Sequence, residues 1–344
     1  MKKNAVILFN LGGPDNLNAV EPFLFNLFND KAILGVPSLP RYLLAKLISK
    51  KRAPIAKKIY EQIGGKSPIL DLTIQQSNAL EKKLANHGQY KCFVVMRCWH
   101  PRAEKVIKDV KNYNPDKIIL LPLYPQFSAA TSGSSINEWL EIARKEQLKI
   151  ATKIICCYPN EKKFIESHVN LIHQTIEKAP NKNFKIIFSA HGLPENKIKS
   201  GDSYQWQIEL SVKSIIENGN LQNYENVLSY QSRVGPLKWI GPSTDYEIVK
   251  AAKQNKGIII VPVAFVSEHS ETLVELDIEY RELAMKNGSK FYLRVPALGT
   301  NNYFIESLET LVTDTQLEYT NKNNQVFVRT TNCPKNFKKC PCIQ

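Results

Sequence analysis

Short apolar runs alternate along the chain with longer stretches of helical period. Residues 5–11, 92–96, 118–123, 150–155, 185–189, 227–230, 258–266 and 291–295 are apolar over lengths that suit buried strands. Residues 69–85, 136–145, 164–176 and 204–216 place apolar side chains every three to four positions, which predicts amphipathic helices. Regular alternation of the two predicts an α/β fold with parallel sheets.

The two halves share a pattern. Ala5-Val-Ile-Leu-Phe-Asn-Leu-Gly-Gly-Pro14 has the form of Lys185-Ile-Ile-Phe-Ser-Ala-His-Gly-Leu-Pro194: an apolar strand, a turn of small residues, then proline. Ile118-Ile-Leu-Leu-Pro122 pairs likewise with Ile258-Ile-Ile-Val-Pro262. Gly12 to Pro122 is 110 positions and Gly192 to Pro262 is 70, so the first half carries 40 extra residues. Two similar doubly wound domains are expected, with an insertion in the first. The insertion is placed at about 21–67, where Phe23, Leu24, Ile33, Tyr42, Leu43 and Leu47 lie among Lys46, Lys50 and Lys51. That mixture suits a lip that touches a membrane or covers an apolar ligand, and equally a helix packed on a core. The expected boundaries are 1–165, 166–312 and a C-terminal extension at 313–344.

Composition narrows the partners. The net charge is +14, and 43% of the residues are apolar, which is ample for a core. A basic surface attracts nucleic acid, anionic lipid or small anions. The basic residues are scattered apart from Lys50-Lys51-Arg52 and Lys57-Lys58, with no nucleic-acid-binding motif, so no nucleic-acid partner is expected. No secretory signal and no run of 18 apolar residues stands in the sequence, which leads us to expect a cytoplasmic protein. Seven cysteines, an odd number, favour metal binding or a reducing compartment over a disulfide framework.

Candidate chemistry gathers at strand ends. After the 258–266 run come Glu268, Glu271, Glu275, Glu279 and Glu282, spaced 3, 4, 4 and 3. In an α-helix these carboxylates share one face, with only Arg281 near in sequence. The stripe reads as oxygen ligands or proton carriers for a hard or borderline cation, or as a solvated helix face. His191 follows another buried strand among small neighbours, where an imidazole can bind metal or accept a proton. His269 falls one position off the acidic face and reads as structural. Arg97-Cys98-Trp99-His100-Pro101 places a cation, a flat ring and an imidazole at a third strand end, where Arg97 could hold a carboxylate. Trp239 lies in the Gly/Pro-rich loop 231–242. Cys333, Cys340 and Cys342 are one thiolate short of a four-thiolate site that Cys156 or Cys157 could complete.

Taken in order, the motifs resemble those of ferrochelatases over almost the whole chain. They are Leu11-Gly-Gly-Pro14, Lys51-Arg52-Ala-Pro54, Ile63-Gly-Gly-Lys-Ser-Pro68, Leu123-Tyr-Pro-Gln126, Gly133-Ser-Ser135, Ser189-Ala-His-Gly-Leu-Pro194, Val234-Gly-Pro236, Trp239-Ile-Gly-Pro242 and Ser267-Glu-His-Ser-Glu-Thr-Leu-Val-Glu-Leu-Asp277. The resemblance implies two Rossmann-like domains with four-stranded parallel sheets flanked by helices, chelatase-like, and a porphyrin cleft between them. It implies a lyase that inserts Fe(II) into protoporphyrin IX with release of two protons to form protohaem. By the same resemblance His191 and Glu271 are catalytic and bind the metal with Glu268 and Glu275. Arg97, Trp239, Ser67, Arg52 and Leu11 become substrate-binding positions. Cys333, Cys340, Cys342 and Cys157, preferred over Cys156, become ligands of a 2Fe–2S cluster. Two positions depart: Cys98 stands where an aromatic often follows the arginine, and Leu11 where some relatives have Met. The substrate's apolarity implies peripheral contact of the 21–67 lip with the inner membrane, and a homodimer is the expected assembly. The rival readings are a chelatase for another metal or for a ring such as coproporphyrin, and a non-catalytic haem- or metal-binding module.

Overall fold

A computed structural model describes residues 2–233, 235–314, 318–322 and 325–342. Val234 of the loop motif and part of the 313–344 segment lie outside them. The strands are β1 (Lys3–Asn10), β2 (Gln89–Met96), β3 (Lys117–Pro122), β4 (Ala151–Cys157), β5 (Phe184–His191), β6 (Glu225–Gln231), β7 (Gly257–Pro262), β8 (Tyr292–Arg294), β9 (Glu318–Lys322) and β10 (Gln325–Arg329).

The chain forms two compact units, Met1–Cys157 with Leu308–Arg329 and Tyr158–Ser307 with Thr330–Ile343. The division falls at 157/158, not at 165/166, because the Lys162–Ile176 helix packs on the Tyr204–Asn218 helix and β7 of the second unit. The residues expected to form a separate extension are shared by both units.

The sheets repeat one topology. The first runs β2-β1-β3-β4-β10-β9 and the second β6-β5-β7-β8. The pairings β2-β1-β3-β4 and β6-β5-β7-β8 are all parallel. Phe9 pairs with Pro122 and Ser189 with Pro262, so the aligned sequence motifs hold equivalent positions. The internal similarity read from the sequence is therefore topological. The expected four-strand count holds for the second sheet and is exceeded in the first. There β10 adds parallel to β4 and β9 adds antiparallel to β10. Gln325-Val-Phe-Val-Arg329 is too short and too polar at its ends to stand out by composition, yet its β-branched and aromatic residues suit an added strand.

Each core follows from its strands. Ile7, Phe9, Leu120 and Ile154 pack with Val106, Ile107 and Trp139 in the first unit. Ile187, Ile258 and Ile260 pack with Ile248, Leu276 and Ala284 in the second. The 40 extra residues of the first half become the Val20–Phe28 and Ser38–Glu61 helices, inserted between β1 and the Ile69–Leu84 helix. Leu39, Leu47 and Ile55 on the longer helix are 71%, 67% and 66% exposed, so among the described residues that face is not packed on a core.

One buried residue sets an acid limit on stability. His168, on the Lys162–Ile176 helix, is 2% exposed, lies edge-on to Phe164, and its Nε2 meets no hydrogen-bond partner among the described residues. Burial without a compensating partner pulls its pKa down to about 3. Below its ordinary value of 6.5 the unfolded chain takes up a proton that the folded chain refuses. Its contribution is full above pH 6.5 and is lost as pH falls toward 3. The slope should approach about 1.4 kcal/mol per pH unit. Thermal midpoints measured from pH 6.5 to 4.5 should fall less steeply for His168→Leu than for the natural chain; parallel curves would refute the assignment.

Candidate metal and proton site

The second unit gathers its chemistry at the carboxyl ends of β5, β6 and β7, where ligands bind in open α/β sheets. His191 is the last residue of β5. Its Nδ1 lies 2.6 Å from the Gly192 carbonyl oxygen. A carbonyl can only accept, so Nδ1 carries the proton and the neutral ring keeps a lone pair on Nε2. The Tyr204 hydroxyl donates to the His191 carbonyl at 3.0 Å, which holds the backbone beneath the ring.

Gly192 is required by close approach. A Cβ there would meet the Gln231 carbonyl at 3.0 Å and the Trp239 ring at 3.1 Å. The Trp239 loop is stitched to the His191 loop by Ile240 N–H to Leu193 O and Glu195 N–H to Lys238 O. The His191 and Trp239 rings stand 6.5 Å apart.

The acidic segment differs from its expected form. Glu271–Glu279 is a π-helix, followed by an α-helix at Tyr280–Lys286. The i→i+5 winding changes which side chains share a face, and such turns are frequent at functional sites. Glu268 precedes the helix, and its carboxylate takes Arg294 Nη1 at 2.8 and 3.1 Å and the Ala297 N–H at 3.0 Å. Glu279 and Glu282 are exposed. The expected stripe of five on one face thus reduces to Glu271 and Glu275. Arg281, the one cation near in sequence, pairs with Asp277; Arg294, from β8, pairs with Glu268 and Asp277.

Glu271 faces two imidazoles. Oε1 lies 3.7 Å from His191 Nε2, and Oε2 lies 3.7 Å from His269 Nε2. Both gaps exceed a hydrogen bond. Burial raises the Glu271 pKa, but the two histidines, when protonated, outweigh it and draw it down to about 2. Glu275 shifts the other way, through burial first and the Glu271 charge second, against the pull of Ser232. Four donors hold its carboxylate: Ser232 N–H at 2.9 Å, Ser232 Oγ at 2.5 Å, Gln231 Nε2 at 3.0 Å and Tyr280 Oη at 3.1 Å. The two neighbouring carboxylates are thus shifted in opposite directions. His269 was expected to be structural. Its position two residues before Glu271, in the connection that follows β7, is the signal that marks it as part of this group.

The other expected positions are placed as follows. Arg97, past the end of β2, directs its guanidinium to Asp30 at 3.0 Å, Glu138 at 2.8 Å and Ser134 Oγ at 2.8 Å, so its charge is matched by protein carboxylates. Cys98 is buried beside Leu11, Val20, Phe23 and Trp99, and burial pushes its thiol up to about 12. Arg52 lies 5.7 Å over the Phe28 ring. Ser67 is buried beneath Gly13 and donates its N–H to the Pro14 carbonyl. Cys156 and Cys157 are buried at the end of β4, and Cys333 accepts from Gln207 Nε2 at 3.3 Å. The Cys340 and Cys342 sulfurs lie within 4.8 Å of each other. Among the described residues, no helix is long and apolar enough to cross a membrane.

Known proteins place the fold first. The solved Bacillus subtilis SirB with Fe3+ aligns over 91% of this chain and 97% of its own, at TM-score 0.53 and 12% identity. A Deinococcus radiodurans protein described as structurally similar to chelatases aligns over 95% of this chain and 57% of its own, at TM-score 0.52 and 9% identity. The chain shares the fold of these solved proteins. Residues 3–316 match the ferrochelatase family. Ferrochelatases from Pelagibacter ubique and Rickettsia bellii are 60% and 49% identical to this chain; each alignment covers 99% of it, with 99% and 96% of the relative. The chain belongs to the ferrochelatase family and is a lyase that inserts iron into a porphyrin to make haem.

Proposed function

We propose that His191, His269 and Glu271 receive the ferrous ion and that Glu275 takes up pyrrole protons as the metal enters protoporphyrin IX. The supporting observation is the His191 tautomer: Nδ1 is committed to a carbonyl and Nε2 points its lone pair toward an ionised carboxylate 3.7 Å away. A nitrogen and an oxygen each about 2 Å from one metal ion lie at such a separation. Imidazole and carboxylate bind Fe(II) yet can release it to a macrocycle of four nitrogens. The reaction exchanges two N–H protons for one Fe(II), so two protons must leave as the ion arrives. Glu275 can take them one at a time, releasing the first to solvent before it accepts the second, and burial favours its protonated form at each step. Glu268 acts by holding Arg294 in place; Glu279 and Glu282 reach solvent.

Trp239, Ser67, Arg52 and Leu11 are assigned to the porphyrin, with Trp239 against the ring and Arg52 toward a propionate. The exposed apolar residues of the Ser38–Glu61 helix, with Lys50 and Lys51, are assigned to a membrane surface, where substrate this apolar would be delivered. The tail thiols fit a 2Fe–2S cluster: Cys333, Cys340 and Cys342 are buried, and two of their sulfurs lie close together. Cys157 or Cys156 would complete the set. Such a cluster would supply redox chemistry that metallation does not use.

Anaerobic incubation of the purified protein with Fe(II) and protoporphyrin IX should give the haem absorbance spectrum, faster when anionic vesicles carry the porphyrin. Iron insertion into coproporphyrin and not into protoporphyrin IX would reassign the ring. Bound, unmetallated porphyrin would leave only a binding module.

A further inference from the structure

A buried ionic chain lies at the root of the lip. Asp30 stands two residues past the Val20–Phe28 helix, and its side chain is 5% exposed. Its carbonyl accepts from the N–H groups of Ile33 and Leu34, and its Oδ1 from the Ala32 N–H at 2.8 Å. This turn redirects the chain toward the Ser38–Glu61 helix. Oδ2 takes Ser134 Oγ at 2.5 Å and Arg97 Nη2 at 3.0 Å. Arg97 passes the connection to Glu138, which Arg102 also holds at 2.6 Å. Two arginines match two carboxylates, all with side chains at most 24% exposed.

The Val20–Phe28 helix also packs through apolar contacts. Val20, Phe23 and Leu24 meet Ala53, Tyr60 and Cys98 in an apolar cluster. Apolar burial favours contact but does not fix a register. Polar ties add direction at this end of the lip: Asn26 Nδ2 to the Cys98 carbonyl at 3.0 Å, and the Asp30 carboxylate. Both end on the segment just past β2, where the Arg97 N–H is itself bonded to the Asn10 carbonyl at the end of β1.

We propose that Asp30 is a positioning residue that locks the lip to the sheet through Arg97, and so sets porphyrin capture and leaves the metal chemistry alone. Arg97 then serves the reaction through Asp30 and touches neither iron nor porphyrin. The inference rests on the reading that residues 21–67 contact the porphyrin. Asp30→Asn keeps the shape and the Ala32 tie but removes the charge that Arg97 needs.

The test uses the full-length protein with Fe(II) and protoporphyrin IX, alongside brief trypsin digestion. Asp30→Asn should raise KM for the porphyrin about tenfold, the scale of one lost charge-assisted hydrogen bond. Its kcat should stay near the natural value. Trypsin should cut faster within residues 31–58 than elsewhere in the chain, with some fall in the thermal midpoint because the mostly buried Arg97 loses one of its two carboxylates. Ser134→Ala, which removes only the hydroxyl shared by Asp30 and Arg97, should act in the same direction and less strongly. A fall in kcat at constant KM, or no change in either readout, would overturn the proposal. So would cleavage throughout the chain in both variants, which marks a merely structural role. Faster cutting within 31–58 at constant KM would overturn the lip's part in porphyrin binding while the anchor stands.

Discussion

Glu271→Gln should lower kcat by about a thousandfold, within the range that positioned acid–base groups contribute. The substitution keeps the volume and removes the charge. Gln cannot serve as an anionic ligand or accept a proton, so neither role in metal transfer survives. His191→Ala should cause a loss of similar size by removing the Nε2 lone pair that faces Glu271. His269→Ala should fall in the same direction, because its ring stands on the other oxygen of the same carboxylate. The double variant His191→Ala/Glu271→Gln should be scarcely worse than either single change, since the groups act as a unit. Added imidazole should restore part of the activity of His191→Ala and none of Glu271→Gln. Thermal midpoints should be unchanged or slightly higher, as removing closely set functional groups relieves strain. The decisive measurement is haem formation under single-turnover conditions. Activity above a tenth of the natural rate in both single variants would sink the assignment of the site.

The sequence made half of this site legible, and the reason is positional. His191 and Glu271 stand beyond apolar runs that could only be buried strands, and ligand chemistry in parallel sheets gathers there. The equivalence of 5–14 with 185–194 could also be read, because strand, turn and proline recur in the same order. What escaped depends on winding or on distant partners. The five-carboxylate stripe assumed α-helical spacing, and no simple residue pattern announces the π turn that exposes Glu279 while Glu275 stays held. Three of the four donors to Glu275, on Gln231 and Ser232, lie more than 40 positions away. Asp30 and Glu138 are 67 and 41 positions from Arg97, so its charge seemed open for a ligand until the fold brought them together. β10 escaped because five residues with polar ends carry little periodic signal.

Lys185→Met should lower unfolding stability by about 3–5 kcal/mol, the usual consequence of leaving one partner of a buried ion pair alone. Lys185 lies on β5, six residues before His191, with its side chain 5% exposed. Its ammonium meets Glu247 at 2.8 Å, itself 6% exposed, and Glu225 at 3.4 Å. Methionine fills the stem of the lysine but strands the Glu247 carboxylate, which has little access to water. For a unit of this size the thermal midpoint should drop by roughly 6–20 °C. Lys185→Met/Glu247→Leu should recover most of that loss, because exchanging both partners for apolar groups of similar volume avoids the unpaired charge. Glu225→Gln should matter far less: its carboxylate is 42% exposed and solvent can replace the interaction. The comparison needs only thermal melts of the four proteins. If the single and double variants lose the same stability, packing around β5 is the cause, and the buried charge is not what holds this strand in place.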